Sequence, residues 1–284
     1  MPTCRTQEGG SQEPPFRFIL NRTMWLNLAA VEERLTTRFV GRRFLYYTST
    51  SSTMDVARAE ADAAAAEGTV VLAEEQSAGR GRFGRAWVSP AGKNIYATII
   101  VRPTVERLRQ LGIVVPLAIC LAIEETVRLQ PQIKWPNDVL ISGRKVCGIL
   151  IETEFSGAEP RYALLGPGIN VNFEIDPASE IAAIATSIKQ ELNAEVDREA
   201  ILAAFLNHLE ALYTAPDLRA VHEVWKSRLE TLGREVTLTF RDEVFRGRAE
   251  DVDDAGNLLL KLADGTLRTF EAGEVSLRAA PLSS

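Results

Sequence analysis

The sequence predicts an α+β fold, with a central mixed, largely antiparallel sheet and flanking helices, followed by a small β-barrel. Two observations carry this prediction. The first 230 residues contain both apolar runs of strand length and stretches in which apolar residues recur at helical spacing. From residue 233 onward the pattern changes to short alternating strands, separated by Arg241-Asp242, Ala255-Gly256 and Asp264-Gly265. Since 284 residues suffice for one large domain and a small one, we expect a tail and helix at 1–43, a central domain at 44–230 and a β domain at 233–284.

Apolar spacing and chain breaks divide the sequence into elements. Residues 1–23 look like a tail, and Leu28, Val31, Leu35 and Phe39 predict a helix over 25–40. Hydroxyl residues 51–53 precede an alanine-rich stretch, which predicts a capped helix that ends at Gly68. Further helices are predicted at 106–129, 200–213 and 218–229. Strands are predicted at 44–47, 69–73, 94–101, 133–141 with a break at Pro136, 143–153 after a hairpin turn, 162–172, 236–240, 243–252, 258–262, 267–271 and 275–278.

Composition indicates an ordinary soluble protein. The formal net charge of -6 argues against general affinity for nucleic acid or anionic membranes. Three widely spaced cysteines, Cys4, Cys120 and Cys147, favour reduced thiols over a disulfide framework or a zinc site. Residues 1–15 lack the apolar core of a signal peptide, and the longest apolar run, 111–123, is too short to span a bilayer. We therefore expect a cytoplasmic protein.

The small number of histidines restricts the possible catalytic chemistry. Only His208 and His222 occur, both in amphipathic stretches where structural roles are the simpler interpretation. No Ser-His-Asp or Cys-His arrangement and no HExxH motif can be assembled from them. Any reaction must therefore depend mainly on arginine, lysine and backbone donors.

The clearest candidate site is the glycine–arginine loop, residues 79–85 with the sequence GRGRFGR. Glycine lets a backbone approach a ligand closely, and arginine donates to phosphate and carboxylate oxygens. The loop matches G-x-G-x-x-G formally, but no helix and no acidic residue follow where a dinucleotide site needs them. A P-loop is excluded because no Gly-Lys-Ser/Thr is present. A solvated turn between two strands is the plainer alternative.

Other polar residues have a structural and a functional interpretation. Ser52 and Thr53 are first of all helix caps, but surplus hydroxyls at a strand–helix junction suit a ligand. Lys145 precedes an apolar strand and either reaches solvent at a sheet edge or points into a cavity under the glycine–arginine loop. Asn137-Asp138 suits a turn. Glycines at 166 and 168 within a strand indicate close approach of a ligand or a second backbone.

Taken in order, these motifs resemble the biotin–protein ligase family over about residues 45–280. The matching segments are Ser52-Thr53, Gln76 before the glycine–arginine loop, Trp87-x-Ser89-Pro90-x-Gly92, KWPND at 134–138, Arg144-Lys145-x-x-Gly148-Ile149-Leu150, Gly166-x-Gly168-Ile169-Asn170 and Ala185-Thr186-Ser187. The resemblance implies the fold shared by class II synthetases and biotin–lipoate ligases, and an SH3-like barrel at the carboxyl end.

The resemblance also implies a reaction in two steps. Biotin and ATP would form biotinyl-5′-AMP, and a lysine of a biotin carboxyl carrier domain would then accept the biotin. Lys145 and Arg82 would be catalytic. The implied biotin-binding residues are Ser52, Thr53, Met54, Gln76, Gly79, Arg80, Gly81, Arg82, Lys145, Gly148 and Gly168. The implied ATP-binding residues are Arg82, Arg85, Trp87, Lys134, Asn137, Lys145 and Asn170, with Mg²⁺ arriving with ATP and no metal site formed by protein ligands.

Three departures from the family pattern qualify these expectations. Met54 stands where the family often has Asn, so only its backbone could make that contact. The region before residue 45 is too short for a winged helix-turn-helix, so we expect no DNA binding and a form without that domain. Loop 173–185 has Ile and Ala but no Trp to stack on adenine.

The sequence also allows two competing functions, and it indicates the expected partners. A lipoate or octanoate ligase of related fold and a non-enzymatic biotin or nucleotide binder are the competing functions. The expected partner is the carrier domain of a biotin-dependent carboxylase, with neither DNA nor membrane involved. A homodimer through an edge of the central sheet is possible.

Overall fold

The computed structural model describes residues 25–271 and 273–277. The predicted tail at 1–23 and Cys4 lie outside these residues. The predicted fold class is confirmed, because a mixed seven-stranded sheet with flanking helices precedes a small antiparallel sheet.

The central sheet has the strand order β1-β2-β3-β7-β6-β5-β4. Only β1 and β2 pair in parallel, and the other neighbours are antiparallel. Beyond its pairing with β5, Ile133 of β4 exchanges backbone hydrogen bonds with Arg228 and Glu230, so the linker between the two domains, residues 227–234, covers part of this edge. The strands are β1 (Phe44–Tyr47), β2 (Val70–Ala73), β3 (Ile95–Val101), β4 (Gln132–Lys134), β5 (Asp138–Ile141), β6 (Arg144–Ser156) and β7 (Glu159–Ile169).

Helices cover the two faces of this sheet unequally. The helices are α1 (Leu28–Glu32), α2 (Thr53–Asp62), α3 (Val105–Val127), α4 (Ile188–Leu192), α5 (Arg198–Tyr213) and α6 (Leu218–Lys226). The apolar residues of α3 and α5 form the main core with one face of the sheet. On the other face α2 packs Met54, Ala57 and Ala61 in a smaller cluster with Val71 and Leu164. Because α2 is short, part of that face stays open and forms the floor of a cavity.

Helix α3, Val105–Val127, agrees with the helix predicted over residues 106–129. Its 23 residues are long and apolar enough to cross a membrane by length and composition alone, although the longest uninterrupted apolar run within it, residues 111–123, has 13 residues. In the fold, residues such as Val115, Leu117 and Ile119 are fully buried against the sheet and the neighbouring helices. The helix is therefore a core element of this domain.

The carboxyl-terminal part forms a five-stranded antiparallel sheet with the order β11-β10-β9-β8-β12. Arg241 and Asp242, which were predicted to separate two strands, form the β8–β9 turn, and both have positive φ. The strands are β8 (Glu235–Phe240), β9 (Glu243–Val252), β10 (Leu258–Leu262), β11 (Leu267–Phe270) and β12 (Glu274–Leu277).

The predicted helix over residues 25–40 is wrong. Only Leu28–Glu32 is helical, and the segment then crosses α5 in irregular form. The reason is hydrogen bonding to α5: Glu210 accepts from the backbone N–H groups of residues 38, 39 and 40, and Asn207 accepts from that of Thr36. These side chains satisfy donors that a continued helix would satisfy internally, so tertiary contacts override the apolar spacing.

Candidate active site

A cavity of about 550 Å³ opens on the sheet face that α2 leaves uncovered. Its floor comes from β3, β6 and β7, and its walls from the start of α2, the glycine–arginine loop, residues 134–138, residues 181–184 and the carboxyl-terminal domain. Of the residues predicted for biotin and ATP, the following line it: Ser52, Thr53, Met54, Gln76, Arg80, Gly81, Arg82, Arg85, Trp87, Lys134, Asn137, Lys145, Gly148 and Gly168.

A chain of hydrogen bonds lies at the α2 end of the cavity. The hydroxyl of Thr98 donates to Thr53 Oγ1 (2.9 Å), and both the backbone N–H and the hydroxyl of Thr53 donate to Gln76 Oε1 (2.9 and 3.1 Å). Gln76 Nε2 donates to Ser89 Oγ (3.1 Å). Since Thr53, Ser89 and Thr98 are buried, this chain fixes the orientation of the Gln76 amide at the cavity wall.

Ser52 and Met54 have different roles beside this chain. Ser52 is the N-cap of α2, and its hydroxyl accepts from the backbone N–H of Met54 at 3.3 Å. The structural interpretation of Ser52 therefore applies, although the residue also lines the cavity. The Met54 side chain is buried against Gly166, where an added Cβ would lie only 2.6 Å from Sδ. Met54 thus provides an apolar wall where the family often has an amide.

Glycines in the floor let the Trp87 indole lie directly on the sheet. A Cβ on Gly168 would come within 2.7 Å of Trp87 Nε1, and one on Gly148 within 3.0 Å of the Trp87 ring and of Lys145 Nζ. Trp87 Nε1 is buried and has no hydrogen-bond partner among the described residues. The close approach predicted at Gly168 is therefore made by the Trp87 side chain, which also lies against Gly148.

The glycine–arginine loop forms a small hairpin over the cavity. Gly81 N–H donates to Arg85 O (2.8 Å), and Trp87 N–H donates to Gly79 O (2.8 Å). Phe83 at its tip has a positive φ of 58° and is 67% exposed. These two backbone hydrogen bonds close the hairpin, and the Phe83 side chain at its tip lies largely in solvent.

The arginines of this loop have different partners. Arg80 forms two hydrogen bonds to the carboxylate of Asp55 on α2, at 3.0 and 2.5 Å, and these hold the pKa of Asp55 below its usual value. Arg82 Nη1 donates to Asn137 Oδ1 (3.0 Å) and to Gly273 O in the carboxyl-terminal domain (3.2 Å). Arg80 therefore ties the loop to α2, and Arg82 ties it to the opposite wall.

Lys145 lies in the cavity wall rather than in solvent, which resolves the two interpretations of this residue. Its Nζ lies 2.7 Å from Asp138 Oδ1 and 5.3 Å from the centre of the Trp87 ring. The Lys145 backbone is held by residues 184–186, through Lys145 N–H to Ile184 O and Thr186 N–H to Lys145 O, both at 2.9 Å. The lysine is thus a fixed, partly buried cation that faces the cavity.

Two predicted site residues, Gly79 and Asn170, lie outside the cavity lining. A side chain on Gly79 would meet Trp87 O at 2.7 Å and Ser89 Oγ at 2.8 Å, so this glycine allows the hairpin to close. Asn170 is buried, donates to Thr186 O (3.1 Å) and accepts from Asn94 Nδ2 (3.4 Å). Both residues therefore support neighbouring loops.

Sequence reasoning missed a buried ion pair beside the site. Glu74, fully buried after β2, accepts from Arg198 Nη1 of α5 at 2.7 Å and from the backbone N–H of Leu26 at 2.6 Å. Arg198 Nη1 also donates to Asn94 O (3.0 Å). Glu74 lies two residues before Gln76, so the pair anchors the chain that carries the Gln76 amide. A charged residue directly after an apolar strand was the available signal.

Comparisons with known proteins agree with this geometry. Residues 46–170 match the Biotin/lipoate A/B protein ligase family, and residues 231–278 match the Biotin protein ligase C terminal domain. The bifunctional ligase/repressor BirA of Bacillus subtilis is 34% identical over 244 residues, which cover 84% of this chain and 75% of that protein. The chain belongs to the biotin protein ligase family.

Further relatives support the membership. The biotin--[acetyl-CoA-carboxylase] ligase of Paracoccus denitrificans is 36% identical over 203 residues, which cover 67% of this chain and 83% of that protein. The solved biotin protein ligase from Aquifex aeolicus in complex with biotin and ATP has a TM-score of 0.72 and 27% identity, and covers 84% of this chain and 100% of that one. The family that residues 46–170 match includes both biotin and lipoate ligases. The family that residues 231–278 match is that of the biotin protein ligase carboxyl-terminal domain.

Proposed function

We propose that this chain activates biotin with ATP and transfers it to a lysine of a biotin carboxyl carrier domain. A biotin carboxylate oxygen attacks the α-phosphorus of ATP, the bond to the β-phosphate breaks, and biotinyl-5′-AMP and pyrophosphate form. The ε-amine of the carrier lysine then attacks the acyl carbon, AMP leaves, and the amide nitrogen loses a proton. The observation that carries the proposal is a single cavity with Arg82 and Lys145 in its walls and a fixed polar chain at its α2 end.

The polar chain at the α2 end suits the head group of biotin. Gln76 offers an amide held in position by Thr53 and Ser89, and Met54 adds an apolar surface next to it. A cyclic urea needs fixed donors and acceptors, and the rest of the bicyclic ring needs apolar contact. We therefore place the ring system over the glycine floor, which requires Trp87 to move from Gly148 and Gly168.

The two cations suit the charge of the first step. A carboxylate and a triphosphate are both anionic, and two unit charges about 4 Å apart repel by about 4 kcal/mol in a partly dry site. Arg82 and Lys145 line the same cavity, and each is held by hydrogen bonds or ion pairs at the wall. In this proposal they neutralise the approaching anions and hold the α-phosphate, so that positioning and charge supply most of the catalysis.

Mg²⁺ would enter with the phosphates of ATP. The described residues contain no group of three or more His, Cys, Asp or Glu side chains that could hold a metal ion. Mg²⁺ bound mostly by phosphate oxygens and water needs only one or two carboxylates, and Asp138, whose Oδ1 is paired with Lys145, is one at the cavity wall. Its chemistry would be to neutralise the leaving pyrophosphate.

The partner and the place of reaction follow from the same proposal. The acceptor is the carrier domain of a biotin-dependent carboxylase, and we place the reaction in the cytoplasm.

A homodimer through a sheet edge remains a prediction, for which β1 is the better candidate because the linker partly covers β4. The absence of DNA binding also stays a prediction, since the residues before Trp25 lie outside the described part of the chain.

Exchange of labelled pyrophosphate into ATP tests the first step. Biotin, lipoate and octanoate are offered separately to the purified chain with Mg²⁺. We expect exchange with biotin alone. Exchange with lipoate or octanoate instead would assign the chain to the related ligases, and binding of biotin without exchange would indicate a non-enzymatic binder.

A further inference from the structure

A single carboxylate, that of Glu191 in α4, joins three segments beside the cavity. Its Oε1 accepts from Arg144 Nη2 and from Thr186 Oγ1, both at 2.6 Å, and its Oε2 accepts from Ser142 Oγ at 2.9 Å. Thr186 is fully buried, and the Glu191 side chain is only 9% exposed. The β5–β6 turn, the first residue of β6 and the segment before α4 therefore meet at one largely buried negative charge.

Two of these three segments hold the backbone of Lys145. Lys145 directly follows Arg144 in β6. Its N–H donates to Ile184 O, and the N–H of Thr186 donates to Lys145 O, both at 2.9 Å. Glu191 thus contacts one neighbour of Lys145 along the chain and another across this pair of backbone hydrogen bonds. Because Ile184 also lines the cavity, the same carboxylate supports the lysine and the adjacent wall.

The contacts of Glu191 are suited to fixing a position. Hydrogen bonds between ionised groups are shorter and stronger than those between neutral groups, and a pair that is partly buried is screened less by salt. Glu191 lies outside the cavity lining, so its effect on a bound ligand must pass through the residues that it holds. Asp138 holds Nζ of Lys145 at 2.7 Å, while Glu191 holds the backbone end. The lysine is therefore fixed at both ends.

We propose that Glu191 is a positioning residue for adenylation, which acts through Lys145. It keeps the start of β6 against residues 184–186, so that the ammonium group enters the cavity from a fixed backbone. This inference rests on the proposed function, because Lys145 has a task to perform only if biotin and ATP react in the cavity.

The substitution Glu191→Gln tests the inference. The amide is neutral and has one acceptor oxygen, so it cannot accept from Arg144 and Ser142 at once. We expect kcat for biotin-dependent pyrophosphate exchange to fall about 10- to 100-fold, since a displacement of about 1 Å at a reacting group costs up to about 100-fold in rate. The Kd for biotin, measured by calorimetry, should stay unchanged, because the polar chain at the α2 end does not involve Glu191.

Glu195→Gln is the matched control. Glu195 is exposed, follows α4 and accepts from Lys189 Nζ at 2.6 Å, so this variant also removes a carboxylate that pairs with a cation in the same segment. We expect its kcat to equal that of the wild type. Equal kcat values for Glu191→Gln and Glu195→Gln would overturn the inference, as would a rise in the Kd for biotin that matches the fall in kcat.

A double-mutant cycle with Lys145→Ala separates positioning from general loss of structure. If Glu191 acts through Lys145, Glu191→Gln should lower the exchange rate of Lys145→Ala no further, and additive effects would overturn the inference. Ser142→Ala removes one of the three hydrogen bonds from an exposed turn and guards against a variant that fails to fold. We expect it to lower kcat about 3-fold, and an unchanged kcat would count against the inference.

The wild-type chain distinguishes failure of this inference from failure of the proposed function. Absence of biotin-dependent exchange in the wild type would refute the proposed function. Exchange in the wild type that Glu191→Gln leaves unchanged would refute only the role of Glu191.

Discussion

The ammonium nitrogen of Lys145 lies 2.7 Å from Asp138 Oδ1 and therefore stays at the cavity wall, although its side chain is 31% exposed. The first prediction concerns this cation. Lys145→Ala should lower the rate of biotin-dependent pyrophosphate exchange about 100- to 1000-fold, because a fixed donor to developing charge is lost. The exposed Lys93, outside the cavity lining, provides the control Lys93→Ala. Equal exchange rates for the two variants would contradict a role for Lys145 in the reaction.

The second prediction concerns recognition of biotin by Gln76. Gln76→Ala removes an amide whose orientation Thr53 and Ser89 fix. We expect the Kd for biotin, measured by calorimetry, to rise about 10-fold, since each neutral hydrogen bond contributes about 0.5–1.5 kcal/mol. Gln132→Ala on β4 is the control, because that side chain is exposed and remote from the lining. An unchanged Kd for Gln76→Ala would indicate that the biotin head group does not bind at Gln76.

The third prediction concerns closure of the glycine–arginine loop. Trypsin should cleave the ligand-free chain after Arg85, which is exposed, and biotin with ATP should protect this bond because phosphate contacts order the loop. Arg241, in the exposed β8–β9 turn, is an internal control whose cleavage should not respond to ligand. Equal cleavage at residue 85 with and without ligand would refute closure.

The fourth prediction concerns the pH dependence of stability. Burial raises the pKa of Glu210, but the three backbone N–H groups of residues 38–40 outweigh it and hold the pKa below its usual value. The carboxylate therefore contributes stability at pH values above the unfolded pKa of about 4.3, and the contribution is lost as pH falls through the lower folded pKa.

Glu210→Gln tests this contribution by urea unfolding. We expect the free energy of unfolding to fall by about 1–3 kcal/mol at pH 7, because the backbone donors lose a charged partner. The difference in the free energy of unfolding between Glu210→Gln and the wild type should shrink as the pH falls below about 4. The exposed Glu32→Gln serves as control. A difference that is constant from pH 7 to pH 3 would contradict the assignment.

The fold class and the site region could be predicted from the sequence because local signals and motif order agreed. Strand-length apolar runs with turn pairs marked the β domain, and the glycines at 166 and 168 marked close packing in β7. The contact partner at Gly168 could not be predicted, since it depends on how the glycine–arginine loop folds back and places Trp87 on the sheet.

Errors arose where distant groups determine local structure. The helix over 25–40 failed because Glu210 and Asn207, more than 160 positions later in the chain, satisfy the donors of that segment. The Glu74–Arg198 pair joins residues 124 positions apart, and no spacing rule relates them. Likewise, Arg82 contacts Gly273 across 191 positions, so only the folded chain indicates that the carboxyl-terminal domain contributes to the site.

The most direct test of the central claim is the intact mass of an isolated biotin carboxyl carrier domain after incubation with this chain, ATP, Mg²⁺ and an equal mixture of biotin and lipoate. We predict one biotinyl addition at a single lysine, abolished when ATP is omitted and strongly slowed by Lys145→Ala. A carrier of unchanged mass, or one that gains a lipoyl group, would contradict the assignment of this cavity to biotin activation and transfer.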